Sequence, residues 1–260
     1  MPWIIGAILL LFFIMLLPAK QRKDMVWMKK YTAHRGYFTQ DQSIPENSLA
    51  AFKEAINRNM NIELDVRLDK DGELIVFHDA TLDRMCDVIG QVESLDHAHM
   101  SQWYLKDSME KIPTLKQVLD LVDGKVGLII EIKPTKQIER VCKNVCAMLD
   151  QYPGKFAVCS FHPMIVFYFK KHRPQYIRGQ IIEPFFGKKD VSLFNKFFLL
   201  INGYNLLTQC NFVSYKFNLA PYFRWMRFLS GYMIVWAIKD DQWLKRHEKK
   251  YDGIIVEHLN

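Results

Sequence analysis

Three carboxylates interrupt stretches of sequence that are otherwise apolar. Glu63 and Asp65 lie two residues apart in IELDV, so on a β-strand both point to one face with Cα atoms roughly 6.5 Å apart. Glu131 interrupts LIIEIKP in the same way and shares a strand face with Lys133. Because a buried carboxylate is costly unless it is paired or binds a metal, these residues predict a site for a hard divalent cation, Mg²⁺ or Ca²⁺. The alternative is an internal salt bridge of Glu131 or Asp65 with Lys133 or Arg35.

Two histidines have neighbours that point to chemistry. His34 ends an apolar run and opens the triplet HRG, and His78 follows the run LIVF. Histidine titrates near neutral pH, so a pair of them can serve as base and acid at one phosphorus atom. The other six histidines stand in settings more typical of structural residues, so His34 and His78 are the candidate proton-transfer groups.

Short β-rich runs alternate with helical patterns beyond residue 30, and these elements have to position the candidate side chains. The predicted strands are Tyr31 to His34, Ile62 to Val66, Leu74 to Phe77, Val126 to Ile132, Phe156 to Ser160, Tyr176 to Ile181, Phe212 to Ser214, Met233 to Ile238 and Gly253 to Val256. The predicted helices include Ser48 to Arg58, Leu115 to Val122, Gln137 to Leu149 and Met164 to Lys171. This alternation predicts an α/β fold, a (β/α)8 TIM-type barrel with its site at the strand C-termini. The segment LDKDG predicts a tight turn instead of a crossover helix.

The N-terminus, MPWIIGAILLLFFIMLLPAKQRK, is apolar and then basic. Residues 1–19 are expected to form one transmembrane helix that anchors the chain in a membrane, and residues 20–29 a basic juxtamembrane linker. Residues 30–260 would then form the barrel. Since the basic residues follow the span, the barrel is expected on the cytoplasmic side. The alternative, a helix buried within the fold, is disfavoured because no polar face interrupts the apolar run.

The charge balance favours anionic partners. The chain has 35 basic and 28 acidic residues, a net charge of +7, which suits phosphate groups, anionic lipid or nucleic acid. Nucleic-acid binding is not expected, since no recognition motif is present. Five cysteines without a C-x-x-C pair indicate neither a disulfide framework nor a zinc site. Cys142 and Cys146, four apart in a helical pattern, are expected in the core.

The spaced polar motifs resemble the glycerophosphodiester phosphodiesterase family. In order along the chain they are HRG, PENSLAAF, ELDV, KDG and FHDATLDR, followed by IPTL, EIKP, SF, VWAI and DGIIV. Any one of them alone is weak, but together they run from His34 nearly to the end of the chain. The resemblance implies a TIM-type barrel with two histidines and an acidic metal site at its mouth.

The resemblance also implies residue roles. His34 and His78 become the acid/base pair, Glu63, Asp65 and Glu131 the ligands of a divalent metal, and Arg35, Lys133 and Trp236 the substrate-binding residues. The implied reaction is hydrolysis of a glycerophosphodiester to glycerol 3-phosphate and an alcohol through a cyclic phosphate.

Some positions depart from the family pattern or allow two interpretations. Asn59 stands where a glycine is common and is expected in the left-handed conformation. Asn47 or Ser48 is expected to cap the following helix, while Glu46 either braces Arg35 or is an ordinary first-turn acid. The tail EHLN replaces the usual Thr-Asp, and VWAI has alanine where threonine is common.

The substrate could be soluble or lipid-linked. The stretch PFFGKKDVSLFNKFFLLINGYNLL has Phe194, Phe197, Phe198 and Ile201 at helical spacing, with Lys188, Lys189 and Lys196 nearby. This pattern fits either a helix at a membrane surface or an outer helix packed on the barrel. The first interpretation makes membrane lysophospholipids plausible substrates. A membrane-anchored protein that binds phosphodiester headgroups without turnover is the alternative of another class.

Overall fold

The computed structural model describes residues 2–16, 23–183, 192–224 and 231–258. Residues 17–19 of the predicted anchor, residues 20–22 of the predicted linker, and Lys188 and Lys189 lie outside the described residues.

Eight parallel strands close into a barrel, as the strand and helix pattern predicts. Numbered along the chain together with one strand outside the ring, β3, they are β1 (Thr32–Ala33), β2 (Asn61–Leu68), β3 (Leu74–Val76), β4 (Leu128–Ile132), β5 (Phe156–Ser160), β6 (Ile177–Ile182), β7 (Phe212–Lys216), β8 (Tyr232–Ile238) and β9 (Gly253–Val256). Strand β1 pairs in parallel with both β2 and β9, which closes the ring. Strand β3 lies outside the ring, antiparallel to β2 across the predicted tight turn.

Helix α1 precedes the barrel, and the other helices lie between successive strands of the ring. They are α1 (Pro2–Leu16), α2 (Leu49–Asn57), α3 (Asp83–Cys86), α4 (His97–Met100), α5 (Leu115–Val122), α6 (Ile138–Leu149), α7 (Pro163–His172), α8 (Leu193–Leu200), α9 (Asn205–Thr208), α10 (Ala220–Phe223) and α11 (Asp241–His247). Within the described residues, 3₁₀ helices cover Lys23–Lys29, Val92–Ser94 and Glu248–Lys250. Cys142 and Cys146 are buried in α6 as free thiols, as expected.

Strand β1 is shorter than predicted, and its ends explain why. Tyr31 is exposed, and the backbone N–H of His34 donates to Val256 O at 2.9 Å before the chain turns away at Arg35. Asn59 has φ 53°, so the predicted left-handed conformation before β2 is confirmed.

Apolar side chains from the 3₁₀ helix Lys23–Lys29 close the N-terminal end of the barrel. Met25, Trp27 and Met28 are buried and pack with inward-facing residues of β4 to β9, although the sequence pattern suggested a linker here. We call Met25, Trp27 and Met28 the plug. Asn61 fixes the plug, because its side chain donates to Trp27 O at 2.9 Å and accepts from the Gly127 N–H at 3.1 Å. A Cβ atom at Gly127 would lie 2.1 Å from the Trp27 ring, so the plug requires glycine there.

The apolar N-terminal run forms helix α1. It has 15 residues, and its side chains are exposed along the first turns, with Trp3 88% exposed. Among the described residues, no helix combines the length and the apolar character needed to span a membrane, so the predicted transmembrane helix is not confirmed.

Replacing Met28 with alanine is expected to lower the free energy of unfolding by about 2–5 kcal/mol, because it leaves a cavity at the closed end of the barrel. Val26 in the same 3₁₀ helix is 65% exposed and serves as the matched control. Val26→Ala is expected to change that free energy by no more than about 0.5 kcal/mol. Urea denaturation followed by circular dichroism measures both, and equal losses would contradict the plug.

Candidate active site

The segment His34 to Gly36 leaves strand β1 in a conformation that places both polar side chains at the barrel mouth. Arg35 has φ 54° and Gly36 has φ 81°. A Cβ atom at Gly36 would lie 2.8 Å from Ala51 Cβ, so the close approach of helix α2 demands glycine. The turn also directs the Arg35 N–H to Glu63 Oε2 at 3.0 Å. Strained backbone of this kind is typical of sites where function dictates geometry.

Three carboxylates meet at the C-terminal ends of two paired strands. Asp65 on β2 lies in register with Glu131 on β4, and Glu63 lies two residues earlier on β2. All three are buried, and one carboxylate oxygen from each lies within 4.8 Å of the others. Burial raises the pKa of Glu63 well above its ordinary value, and repulsion from Asp65 and Glu131 adds to the effect. This cluster fits a divalent cation, whose charge would remove that repulsion.

Two cations contact the carboxylate cluster. Lys133 Nζ lies 2.6 Å from Glu131 Oε1 and 3.1 Å from Asp65 Oδ1, and Arg35 Nε lies 3.5 Å from Asp65 Oδ2. Burial alone would raise the pKa of Asp65, but Lys133 and Arg35 outweigh it and hold that pKa below its ordinary value. The salt bridge that the sequence left as an alternative is therefore present beside the cluster. It leaves Glu63 without a cationic side chain in ion-pair contact among the described residues, apart from His34 at 3.9 Å.

His34 is held by the carboxylate of Glu257, the residue that follows the last strand of the barrel. Its Nδ1 lies 2.9 Å from Glu257 Oε2, and its Nε2 faces Glu63. Burial lowers the pKa of His34, although the hydrogen bond to Glu257 opposes the shift. Neutral imidazole with Nδ1–H donated to Glu257 leaves Nε2 free to accept a proton at the mouth. Glu257 in turn pairs with Lys239, 2.6 Å from its Oε1.

His78 reaches the same mouth from strand β3. The Phe77 N–H donates to Asp65 O at 2.9 Å, which draws this segment over the end of β2. Arg67 Nε and an Nη donate to His78 O at 3.0 and 2.9 Å and fix its backbone. His78 Nδ1 lies 2.6 Å from Asp79 Oδ1, so Asp79 orients the ring. His78 is thus the more exposed member of the histidine pair, with 31% of its side chain accessible against 12% for His34.

One cavity of about 410 Å³ at the C-terminal mouth collects the predicted residues. Seven of the eight line it, and Asp65 lies behind Lys133 and Arg35. Trp236 closes one side, with its indole N–H donated to Ser214 O at 3.1 Å and its ring 5.9 Å from that of Phe161. A larger cleft of about 1320 Å³ lies at the opposite end of the strands, and none of the predicted site residues lines it. The smaller cavity is therefore the candidate active site.

Two residues that position the site, Asn47 and Glu257, were not given that role from the sequence. Ser48 caps helix α2, and Asn47 instead uses its side chain to donate to Asp65 Oδ2 at 2.8 Å. Asn47 has φ 55° and stands in the motif PENS, which was a visible signal. Glu257 lay in the tail noted only as a departure, and its pairing with His34 needed the closed barrel. Glu46 does brace Arg35, with Arg35 Nη1 2.8 Å from its Oε1.

Comparisons of sequence match the chain to known proteins. The sequence pattern of the glycerophosphoryl diester phosphodiesterase family matches residues 34–197. A glycerophosphodiester phosphodiesterase of Bacillus altitudinis is 31% identical over 159 residues, 56% of this chain and 64% of the relative. One from Caldanaerobacter subterraneus is 40% identical over 109 residues, 39% of this chain and 44% of the relative. The match thus spans less than two thirds of either bacterial relative. Human glycerophosphodiester phosphodiesterase 1 is 26% identical over 81% of this chain and 69% of its own length.

Comparison of structures supports the fold. A phosphodiesterase of Oleispira antarctica, solved in complex with the product sn-glycerol-3-phosphate, superposes with a TM-score of 0.73 at 21% identity. The match covers 90% of this chain and 94% of that one. A glycerophosphodiester phosphodiesterase of Thermotoga maritima superposes with a TM-score of 0.67 at 22% identity, covering 87% and 93%. The likeness establishes the TIM-type barrel.

Glu63→Gln is expected to weaken Mg²⁺ or Ca²⁺ binding by at least about tenfold, because it removes one charged oxygen donor of three. In metal-free buffer the same variant should melt no lower than the wild type, since the substitution relieves the carboxylate repulsion. Isothermal titration calorimetry and thermal melts measure the two effects. Glu139→Gln, at an exposed position on helix α6, is the control. Unchanged metal affinity would contradict the assignment of Glu63.

The lowered pKa of Glu257 makes the stability of the folded protein depend on pH. Although burial opposes it, the hydrogen bond from His34 and the contact with Lys239 lower the pKa of Glu257 from 4.5 to about 2. The folded protein therefore binds fewer protons than the unfolded chain between these values, and its stability rises with pH there. The wild type should melt above Glu257→Gln at pH 7, and the difference should shrink as pH falls below 4.5 towards 2. A pH-independent difference in melting temperature would contradict this.

Proposed function

The chain belongs to the glycerophosphoryl diester phosphodiesterase family, and from that premise we propose that it is a phosphoric diester hydrolase. The proposed reaction cleaves glycerophosphodiesters to glycerol 3-phosphate and an alcohol. One observation carries the proposal: His34, His78, two of the three clustered carboxylates, Arg35 and Lys133 all line a single cavity.

In the first chemical step one histidine accepts a proton and the other donates one. The 2-hydroxyl oxygen of glycerol forms a bond to phosphorus while one histidine accepts its proton. The bond between phosphorus and the leaving oxygen breaks as the other histidine donates a proton to it. His34 suits the accepting role, because its lowered pKa keeps Nε2 unprotonated near neutral pH. His78, more exposed and braced by Asp79, then faces the leaving alcohol.

The second step opens the cyclic phosphate. Water adds to phosphorus, the bond to the glycerol 2-oxygen breaks, and the histidines exchange roles, so both return to their starting states. Arg35 contacts phosphate oxygens through its planar fork and Lys133 acts as a point charge. Glu63, Asp65 and Glu131 would hold a divalent cation, Mg²⁺ or Ca²⁺, which polarises the phosphoryl group when bound.

Lysophospholipids form a second candidate substrate class, favoured by the surface of helix α8. Leu193, Phe194 and Phe197 are 81, 71 and 61% exposed, and α8 has no buried residue among those described. Helix α8 follows strand β6, at whose end Glu183 lines the cavity. A surface of this kind suits contact with lipid. Cleavage of a lysophospholipid by the same steps would release lysophosphatidic acid.

We also propose that the protein is located at a membrane, with the barrel on the cytoplasmic side. Support comes from the exposed apolar side chains of helix α1 and from the basic residues that follow it in the sequence, Lys20, Arg22 and Lys23. Cell fractionation should recover the full chain with membranes, and protease added to intact cells should leave the barrel uncleaved. Recovery in the soluble fraction would refute the proposal.

His34→Ala and His78→Ala are each expected to lower kcat/KM by about 10²–10⁴-fold, since each removes a proton-transfer group. Release of glycerol 3-phosphate, or of lysophosphatidic acid, is measured by mass spectrometry. The panel contains glycerophosphocholine, glycerophosphoinositol 4-phosphate, lysophosphatidylcholine and lysophosphatidylglycerol, assayed with Mg²⁺ or Ca²⁺ and after chelation. His99→Ala, at an exposed histidine, should retain activity.

Two outcomes of this assay carry opposite meanings. Turnover that needs metal and both histidines would support the hydrolase, and the best substrate would distinguish soluble from lipid diesters. If a folded, metal-loaded protein released product from no member of the panel, the proposed hydrolase activity would be refuted. That result would favour a membrane-associated protein that binds phosphodiester headgroups without turnover.

A further inference from the structure

We propose that Lys216 forms a second anion-binding subsite in the cavity, which selects glycerophosphodiesters whose leaving alcohol carries a negative charge. The inference rests on the proposed function for the identity of the scissile diester. It goes beyond that function by naming the class of leaving group and the residue that recognises it.

Strand register places Lys216 at the mouth of the barrel. It is the last residue of β7 and pairs in register with Trp236 on β8, so both lie at the C-terminal mouth. The Lys216 ammonium lies 5.7 Å from the centroid of the Trp236 ring and lines the same cavity as the histidines. The indole is fixed by its hydrogen bond to Ser214 O, so the ammonium rests against a rigid wall.

The other fixed cations of the cavity already have carboxylate partners. Lys133 pairs with Asp65 and Glu131, and Arg35 pairs with Glu46 and lies 3.5 Å from Asp65. Within the described part of the chain, the Lys216 side chain makes no ion pair or hydrogen bond. Its ammonium, half-buried at the cavity wall, can therefore give its full charge to a ligand.

The two ammonium groups of the cavity each lie against one ring of an aromatic pair, Phe161 and Trp236. Lys133 Nζ lies 5.9 Å from the Phe161 centroid, the centroids of the Phe161 and Trp236 rings are 5.9 Å apart, and Lys216 Nζ lies 5.7 Å from the Trp236 centroid. A scissile phosphate beside Lys133 would leave the alcohol to extend across the aromatic pair towards Lys216. An anionic group on that alcohol would meet the second ammonium.

The same arrangement disfavours a quaternary ammonium on the leaving alcohol. A cation of that kind binds best over aromatic faces. Here lysine ammonium groups lie against both rings, so a choline group would meet like charge at Phe161 and at Trp236. Glu183 also lines the cavity but is engaged in an interaction of its own. The expected substrate class is thus a diester of an anionic polyol, not of choline.

Two ligands that differ by one phosphate test the subsite. Glycerophosphoinositol 4-phosphate and glycerophosphoinositol are titrated by calorimetry into the full-length His34→Ala protein with Mg²⁺, so that binding is measured without turnover. Adding Lys216→Gln should weaken binding of the phosphorylated ligand by about tenfold, as expected for loss of one charge-assisted contact. Binding of the unphosphorylated ligand should change by less than about twofold. Lys216→Arg, which keeps the charge, should restore the preference.

A matched control removes the effect of net charge. Lys143→Gln, at an exposed position of helix α6, loses the same charge away from the cavity and should leave both affinities unchanged. Equal losses for the two ligands, no loss for either, or tighter binding of glycerophosphocholine than of the phosphorylated inositol diester would each overturn the subsite.

Turnover by the wild type separates this inference from the function on which it rests. Release of glycerol 3-phosphate without any preference for the phosphorylated diester would refute the subsite and keep the hydrolase. A Lys216-dependent binding preference without release of glycerol 3-phosphate from any diester would keep the subsite and refute the hydrolase.

Discussion

Repulsion among three buried carboxylates is the constraint around which the barrel mouth is built. Register between β2 and β4 sets Asp65 beside Glu131, and the period of two along β2 adds Glu63. Like charges at this separation and burial cannot persist without compensation. Lys133 and Arg35 supply part of it at Asp65 and Glu131, and the divalent cation that we propose would supply the rest at Glu63.

The rest of the mouth follows from holding that cluster in place. Asn47 and Arg35 both adopt left-handed backbone conformations so that one side chain reaches Asp65 and one amide reaches Glu63. Gly36 lets helix α2 approach closely enough to carry Asn47 there. At the other end of the barrel, Trp27 and its neighbours close the interior, so the site rests on a packed core.

Electrostatic asymmetry divides the work of the cavity. His34 is buried, tied to Glu257 and kept neutral, while His78 is more exposed and braced by Asp79. These different surroundings are the reason why the proposed mechanism gives the two histidines different proton-transfer roles. The lysines differ too, since Lys133 pairs with two carboxylates, whereas Lys216 lies against the Trp236 ring and makes no ion pair within the described residues.

Much of the fold and of the site could be read from the sequence, because the signals involved are local. Carboxylates inside apolar runs, strand periodicity and the order of the polar motifs identified the barrel, His34, His78 and the acidic cluster. The sequence also identified α8 as a helix and Asn59 as left-handed.

The partnerships that tune these residues were decided by tertiary structure. Glu257 is 223 residues from His34 in the chain, and no local pattern joins them. The packing of Trp27 in the barrel interior depends on the assembled barrel, and the position of Lys216 beside Trp236 depends on the register between β7 and β8. Strand alternation specifies which residues face inward, but closure of the barrel determines which inward-facing residues meet.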